Sequence, residues 1–156
     1  MQRVAAGAAA GLAATVPMTA AMKLAQGMLP APQRHPLPPR RITMRALSKT
    51  GVRPHARLDE PARRGLTLAA HYGYGTGAGA LFGAIAPANT RDAVAAGIGY
   101  GLLVWAASYL GLMPALDLHP PATRESPGRN MMMIAAHVVW GAAMGAAAAR
   151  LRRPRR

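Results

Sequence analysis

The chain has 156 residues, with five acidic side chains against nineteen lysines and arginines, a net charge of +14 and no cysteine. The lack of cysteine excludes disulfides, thiolate zinc sites and iron–sulfur clusters. Apolar residues make up 51% of the chain but aromatics only 4%, an Ala/Gly-rich mixture better suited to close helix packing in a membrane than to a soluble core.

Four apolar runs, at about 4–29, 66–86, 93–116 and 131–151, each reach the roughly 20 residues that cross a bilayer core. The first ends at Pro30 and Pro32. It contains Lys23, with Gln26 one turn on, and this lysine is expected to snorkel to the nearer surface rather than act as a buried functional charge. Arg3 before an Ala-rich run also fits a signal peptide, but the internal repeat described below argues that the segment is retained.

A basic loop follows, 31–65, with nine lysines and arginines. Arg41, Arg45 and Lys49 are spaced by four and predict one helical face, either lying on anionic headgroups or simply solvated. Asp59 is placed to cap the second helix, with Pro61 in its first turn and Pro87 beyond its end. Along that helix His71, Gly75, Gly79 and Gly83 share a face.

Asn89 or Thr90 is placed to cap the third helix, where Trp105 and Tyr109 read as packing or interfacial aromatics. Ser126 or Asn130 caps the fourth, on which His137, Gly141 and Gly145 repeat the His–Gly–Gly stripe. Small residues at this spacing let backbones approach closely, so Gly75, Gly79, Gly83, Gly141 and Gly145 are expected to form a seam where the second helix meets the fourth. The tail, 152–156, reads as a basic membrane anchor rather than a nucleic-acid contact.

The two halves resemble each other. Residues 27–40 align without gaps on 111–124, with six identities in fourteen positions, among them His35 with His119 and Arg40 with Arg124. Residues 69–80 align on 135–146, again with six identities, among them His71 with His137. The offsets, 84 and 66, differ by an 18-residue insertion in the first loop. This predicts two tandem helical hairpins, about 4–88 and 89–152, in one all-α transmembrane four-helix bundle, with the halves parallel.

The Lys23 span followed by Pro36-Leu-Pro-Pro-Arg40, the stretch from Gly111 to Leu118, and Ala136-His137-Val-Val-Trp140 resemble the YagU family of bacterial inner-membrane proteins. The resemblance covers most of the chain. It implies a multi-pass protein of the bacterial inner membrane and no activity, since the family is a domain of unknown function.

The repeat gathers His35, His119, Arg40 and Arg124 near one mouth, above His71 and His137. The leading expectation is structural: these groups shape loops and pair helices in a structural or interaction protein, with lipid, anionic headgroups and a second copy as partners and with no nucleic acid. The alternative is a proton- or ion-responsive permeation protein, because intramembrane ionisable groups are costly and His titrates near neutrality. A third reading makes His71 and His137 ligands of a haem or metal; no cofactor is otherwise implied. With five acidic residues, all in loops or at helix ends, no enzyme is expected. The loop side carries eleven lysines and arginines and the terminal side seven, a lean towards cytoplasmic loops that leaves the orientation open.

Overall fold

The computed structural model describes residues 1–152, so residues 153–156 of the basic tail lie outside it. The described residues form helices and no strand. Helix α1 is Gln2–Met28, α2 Pro38–Lys49, α3 Pro54–Arg57, α4 Glu60–Ile85 and α5 Thr90–Ala106. A π-helical stretch, Ala107–Leu112, carries α5 into the short α6, Met113–Ala115, and α7 is Pro127–Leu151.

Helix starts follow their caps rather than the apolar runs. The Asp59 carboxylate accepts the Ala62 N–H at 2.9 Å, Asn89 accepts that of Asp92 at 2.8 Å, and Ser126 accepts that of Arg129 at 3.4 Å. Such bonds satisfy orphan donors of the first turn. Helix α4 therefore begins at 60 rather than 66, and α7 at 127 rather than 131. At its far end α4 is held by two arginines: Arg3 and Arg152 donate to the Ala86 carbonyl at 2.7 and 2.8 Å.

Three helices, Gln2–Met28, Thr90–Ala115 and Pro127–Leu151, are long and apolar enough to cross a membrane. Helix α4 matches them in length, but His71, Tyr72, Tyr74 and its glycines dilute its apolar character. The molecule is apolar on the outside: Leu81, Ile85 and Leu103 are 69%, 72% and 62% exposed. Its interior is made mostly of small or flexible residues, such as Ala10, Ala14, Met22, Ala136, Met144 and Ala148, around the rings of Phe82, Tyr109 and Trp140. Large aliphatics outside and small residues inside suit a surface solvated by lipid.

Helix α1 packs along α4, α5 along α7, and α1 along α7, whereas α4 and α5 meet sparsely. This corrects the expected glycine seam. A Cβ on Gly79 would lie 2.5 Å from the Gly7 carbonyl oxygen, and one on Gly83 would be 2.7 Å from the Gly7 Cα. One on Gly141 would strike the Gly97 carbonyl, and one on Gly145 that of Ala93. There are thus two seams, α1–α4 and α5–α7, and not one between α4 and α7. The physical reason is complementarity: Gly7 and Gly11 on α1, and Ala93 and Gly97 on α5, offer the matching shallow grooves. The rings of Phe82, Tyr100 and Trp140 contact one another in sequence, tilted by 44° and 31°, with centroids 5.3 and 6.2 Å apart.

Candidate functional site

Two polar features sit on the loop side of this framework. The first centres on Glu125, just before α7. Its carboxylate accepts from the Arg41 guanidinium at 3.0 Å and from Arg129 Nε at 3.0 Å. His119 Nε2 stands 3.8 Å away and His35 Nε2 4.0 Å away. Arg129 is 2% exposed. Its guanidinium also donates to the backbone carbonyls of Gln33 (3.0 Å), His35 (3.2 Å) and Pro36 (3.4 Å), which ties α7 to the loop after α1. The Ser126 hydroxyl donates to the Gln33 side chain at 2.9 Å, and Gln26 donates to the His35 carbonyl at 2.8 Å. Burial alone would raise the Glu125 carboxyl, but Arg129 and Arg41 outweigh it and hold the pKa below the usual range. His119 is pushed below the ordinary imidazole value, chiefly by burial and further by Arg41 and Arg129, against the hydrogen bond to Pro120 and the charge of Glu125.

Helix α2 is fastened over this side. Arg45 donates to the Asp117 carboxylate at 2.6 Å and Lys49 lies 3.4 Å from it, while Arg41 reaches Glu125. The basic face expected to lie on headgroups or in solvent is thus paired with carboxylates of the α6–α7 connection. Asp117 has φ 49°, a left-handed conformation that Asp tolerates better than most residues.

The second feature is a cavity of about 210 Å³ between the hairpins. Its walls include Met18 of α1, His71 and Tyr74 of α4, Ser108 and Tyr109 of the π-helical stretch, and His137 of α7. Pro39, Ile42 and Thr43 of α2 roof it, and Trp140 of the ring cluster lines it as well. Of its lining residues Ala70 and Tyr74, both on α4, are exposed, on the side where α4 and α5 meet sparsely. The Tyr74 and Ser108 hydroxyls bridge the two helices at 2.8 Å. His137 Nδ1 donates to the Met133 carbonyl at 2.7 Å, the i−4 position of its own helix. His71 Nε2 is buried without a hydrogen-bond partner among the described residues.

The structure brings together some of the expected site residues and separates others. His71 and His137 line one cavity. His35 and His119 converge on Glu125 rather than on those two. Arg40 turns away to a two-pronged pair with Glu60, 2.8 Å for its longer arm. Arg124 is exposed and has no side-chain partner among the described residues, and Lys23 is exposed on α1. Sequence reasoning missed Glu125, Arg129 and Arg41. The signal was present: Glu125 and Arg129 are spaced by four at a helix start, but nothing local announces that Arg129 is buried. Among the described residues no three His, Asp or Glu side chains form a metal-binding group.

A family model described as "Protein of unknown function (DUF1440)" matches residues 18–146. The chain belongs to that family, in keeping with its YagU-like motifs. No curated protein and no solved structure matches it.

Proposed function

We propose that the chain is a four-span protein of the bacterial inner membrane, with α4 as the fourth span, and that its role is structural or interactive rather than enzymatic. One observation carries this reading: all five acidic side chains hold structural partners. Asp59 caps α4, Glu60 pairs with Arg40 and Arg63, and Asp92 accepts from Asn89. Asp117 and Glu125 fasten α2 and α7. Each acid is engaged in holding a helix end or a loop, the task of a scaffold. The contacts among the rings of Phe82, Tyr100 and Trp140 also favour a packed, closed body.

Tandem duplication of a hairpin is supported by the seams: Gly7 and Gly11 face Gly79 and Gly75 much as Ala93 and Gly97 face Gly145 and Gly141. Lipid is the principal partner. The exposed Arg53, Arg57, Arg64 and Arg124 suit anionic headgroups on the loop side, and a second copy of the chain is the expected protein partner. The test is proton and cation flux in proteoliposomes across a pH series, for the wild type and a His71→Ala/His137→Ala variant. Both should match protein-free liposomes. A pH-dependent flux abolished in the variant would replace this reading with the permeation one.

A further inference from the structure

We propose that the cavity beneath α2 is a binding site for a small membrane-soluble molecule with a flat apolar ring and a carbonyl oxygen, a quinone-like ligand, that enters sideways between α4 and α5. Only the route of entry rests on the four-span reading; the site itself stands on its lining.

Size comes first. A cavity of about 150 Å³ lined by aliphatic and aromatic groups accommodates benzene. This one, at about 210 Å³, has room for one ring with substituents or a fused pair. Shape and surface come next. Met18, Met113 and Met133 border it together with the rings of Tyr109 and Trp140. Thioethers adapt to irregular shapes and contact aromatic rings favourably, so these walls suit a flat, polarizable body better than a bare chain.

The polar groups select the oxygen. His71 Nε2 is buried and has no partner among the described residues, a state that costs free energy until a partner arrives. In the Tyr74–Ser108 pair one hydroxyl donates to the other, which leaves the second O–H free to donate. In the tautomer that carries its proton on Nε2, His71 joins the free hydroxyl as a donor on an apolar wall. Such donors call for an acceptor such as a carbonyl, not for a charged group, whose burial would be far more costly. The π-helical turn is what places Ser108 and Tyr109, adjacent in sequence, both facing inwards: they are 4% and 8% exposed. Such turns recur at functional sites. Exposed Ala70 is flanked by exposed Leu66, Leu68 and Tyr74, an apolar surface at which a bilayer-dissolved ligand would be concentrated.

The test uses the full chain in detergent with Trp105→Phe, so that Trp140 on the cavity wall is the sole reporter. The probe is 2-methyl-1,4-naphthoquinone, titrated against Trp140 fluorescence. Saturable quenching is expected. His71→Leu should weaken it about tenfold, the scale of one lost hydrogen bond to a buried partner. Ala70→Phe, at an exposed position, should block entry and abolish the saturable phase with the protein still folded, and it leaves Trp140 the sole reporter. Quenching that rises linearly with probe and is the same in all three backgrounds would overturn the proposal, leaving the cavity to a lipid acyl chain. Because no transport is measured, failure here would leave the flux result, and the scaffold reading it tests, standing.

Discussion

The contact between α1 and α7 and the gap between α4 and α5 are the two junctions that join one hairpin to the other, and they are built differently. On the α1–α7 side Ala10, Ala14, Ala136 and Ala148 are completely or almost completely buried, Met22 and Met144 fill the remaining space, and Trp140 Nε1 donates across to the Gly11 carbonyl at 3.3 Å. On the α4–α5 side two hydroxyl bridges carry the polar contact, Tyr74 to Ser108 at 2.8 Å and Tyr100 to the Ala78 carbonyl at 2.9 Å, and the cavity lies behind them. Small residues close the first junction; His71, Tyr74 and Tyr109 hold the second open. In a tandem duplicate these junctions would be equivalent. On the proposed duplication the first-loop insertion would break the equivalence, because it would supply much of α2, whose Ile42 and Thr43 line the cavity on the open side.

The strongest way to break the comparison is to remove a seam common to both sides. In Gly79→Leu the new side chain would meet backbone atoms of Gly7 and Gly11, at 2.5 and 2.6 Å from its Cβ, with no flexible neighbour to yield. A loss of about 3 kcal/mol or more is expected, seen as collapse of the thermal transition in detergent. Gly77→Ala is the control: nothing lies within 4 Å of its Cβ, and a gain of up to about 1 kcal/mol is expected from helix propensity.

Glu125→Gln comes next, because Glu125 serves both junctions. It pairs with Arg41 under the roof of the open side and with Arg129, which grips the loop after α1 on the closed side. The change leaves Arg129, 2% exposed, with a buried charge and no counter-ion, a loss of about 3 kcal/mol measured as a fall in unfolding midpoint. Asp117→Asn, at a pair open to solvent, should leave that midpoint in place while loosening α2, read as faster amide exchange over Pro38–Lys49.

Acid should act in the same direction as Glu125→Gln. His119 has a folded pKa below its ordinary 6.5, so the unfolded chain binds the proton first and stability falls as pH drops below that value. Glu125, lowered from an ordinary 4.5, adds a second loss below that pH. A midpoint constant from pH 7 to 5 would contradict the burial of His119, and one constant from pH 5 to 3 would contradict the ion pairs of Glu125.

Much of this was legible in the sequence, but unevenly. Asp59, Asn89 and Ser126 announce their helices because capping is local chemistry. The stripes Gly75–Gly79–Gly83 and Gly141–Gly145 announce close approach, since only a packed partner explains such spacing. They do not name the partner: Gly7, Gly11 and Gly97 sit in Ala-rich runs where one more small residue carries no signal. Arg41, Arg45 and Lys49 declare a face but not what faces it, because Asp117 and Glu125 lie far along the chain, 84 residues on for Arg41–Glu125 and 72 for Arg45–Asp117. The cavity was invisible for a similar reason: it depends on a π-helical turn at 107–112 that no residue type in that stretch demands.

The smallest expected effect separates a latch from a brace. Tyr100→Phe removes one donor to a carbonyl on α4, beside the ring contacts with Phe82 and Trp140 that the variant keeps. Tyr74→Phe removes the hydroxyl at the lateral opening, where the side chain is 47% exposed. Each loss is about 1 kcal/mol or less, and thermal midpoints alone would scarcely distinguish them. Exchange at the open side should. If the Tyr74–Ser108 bridge is the latch of a lateral entrance, Tyr74→Phe speeds quinone on- and off-rates together and leaves the ratio little changed. Tyr100→Phe, within the ring cluster and outside the cavity lining, leaves both rates alone. Equal kinetics in the two variants would mean that both hydroxyls merely brace α4 against α5, and that the difference between the junctions lies in their packing and not in a moving part.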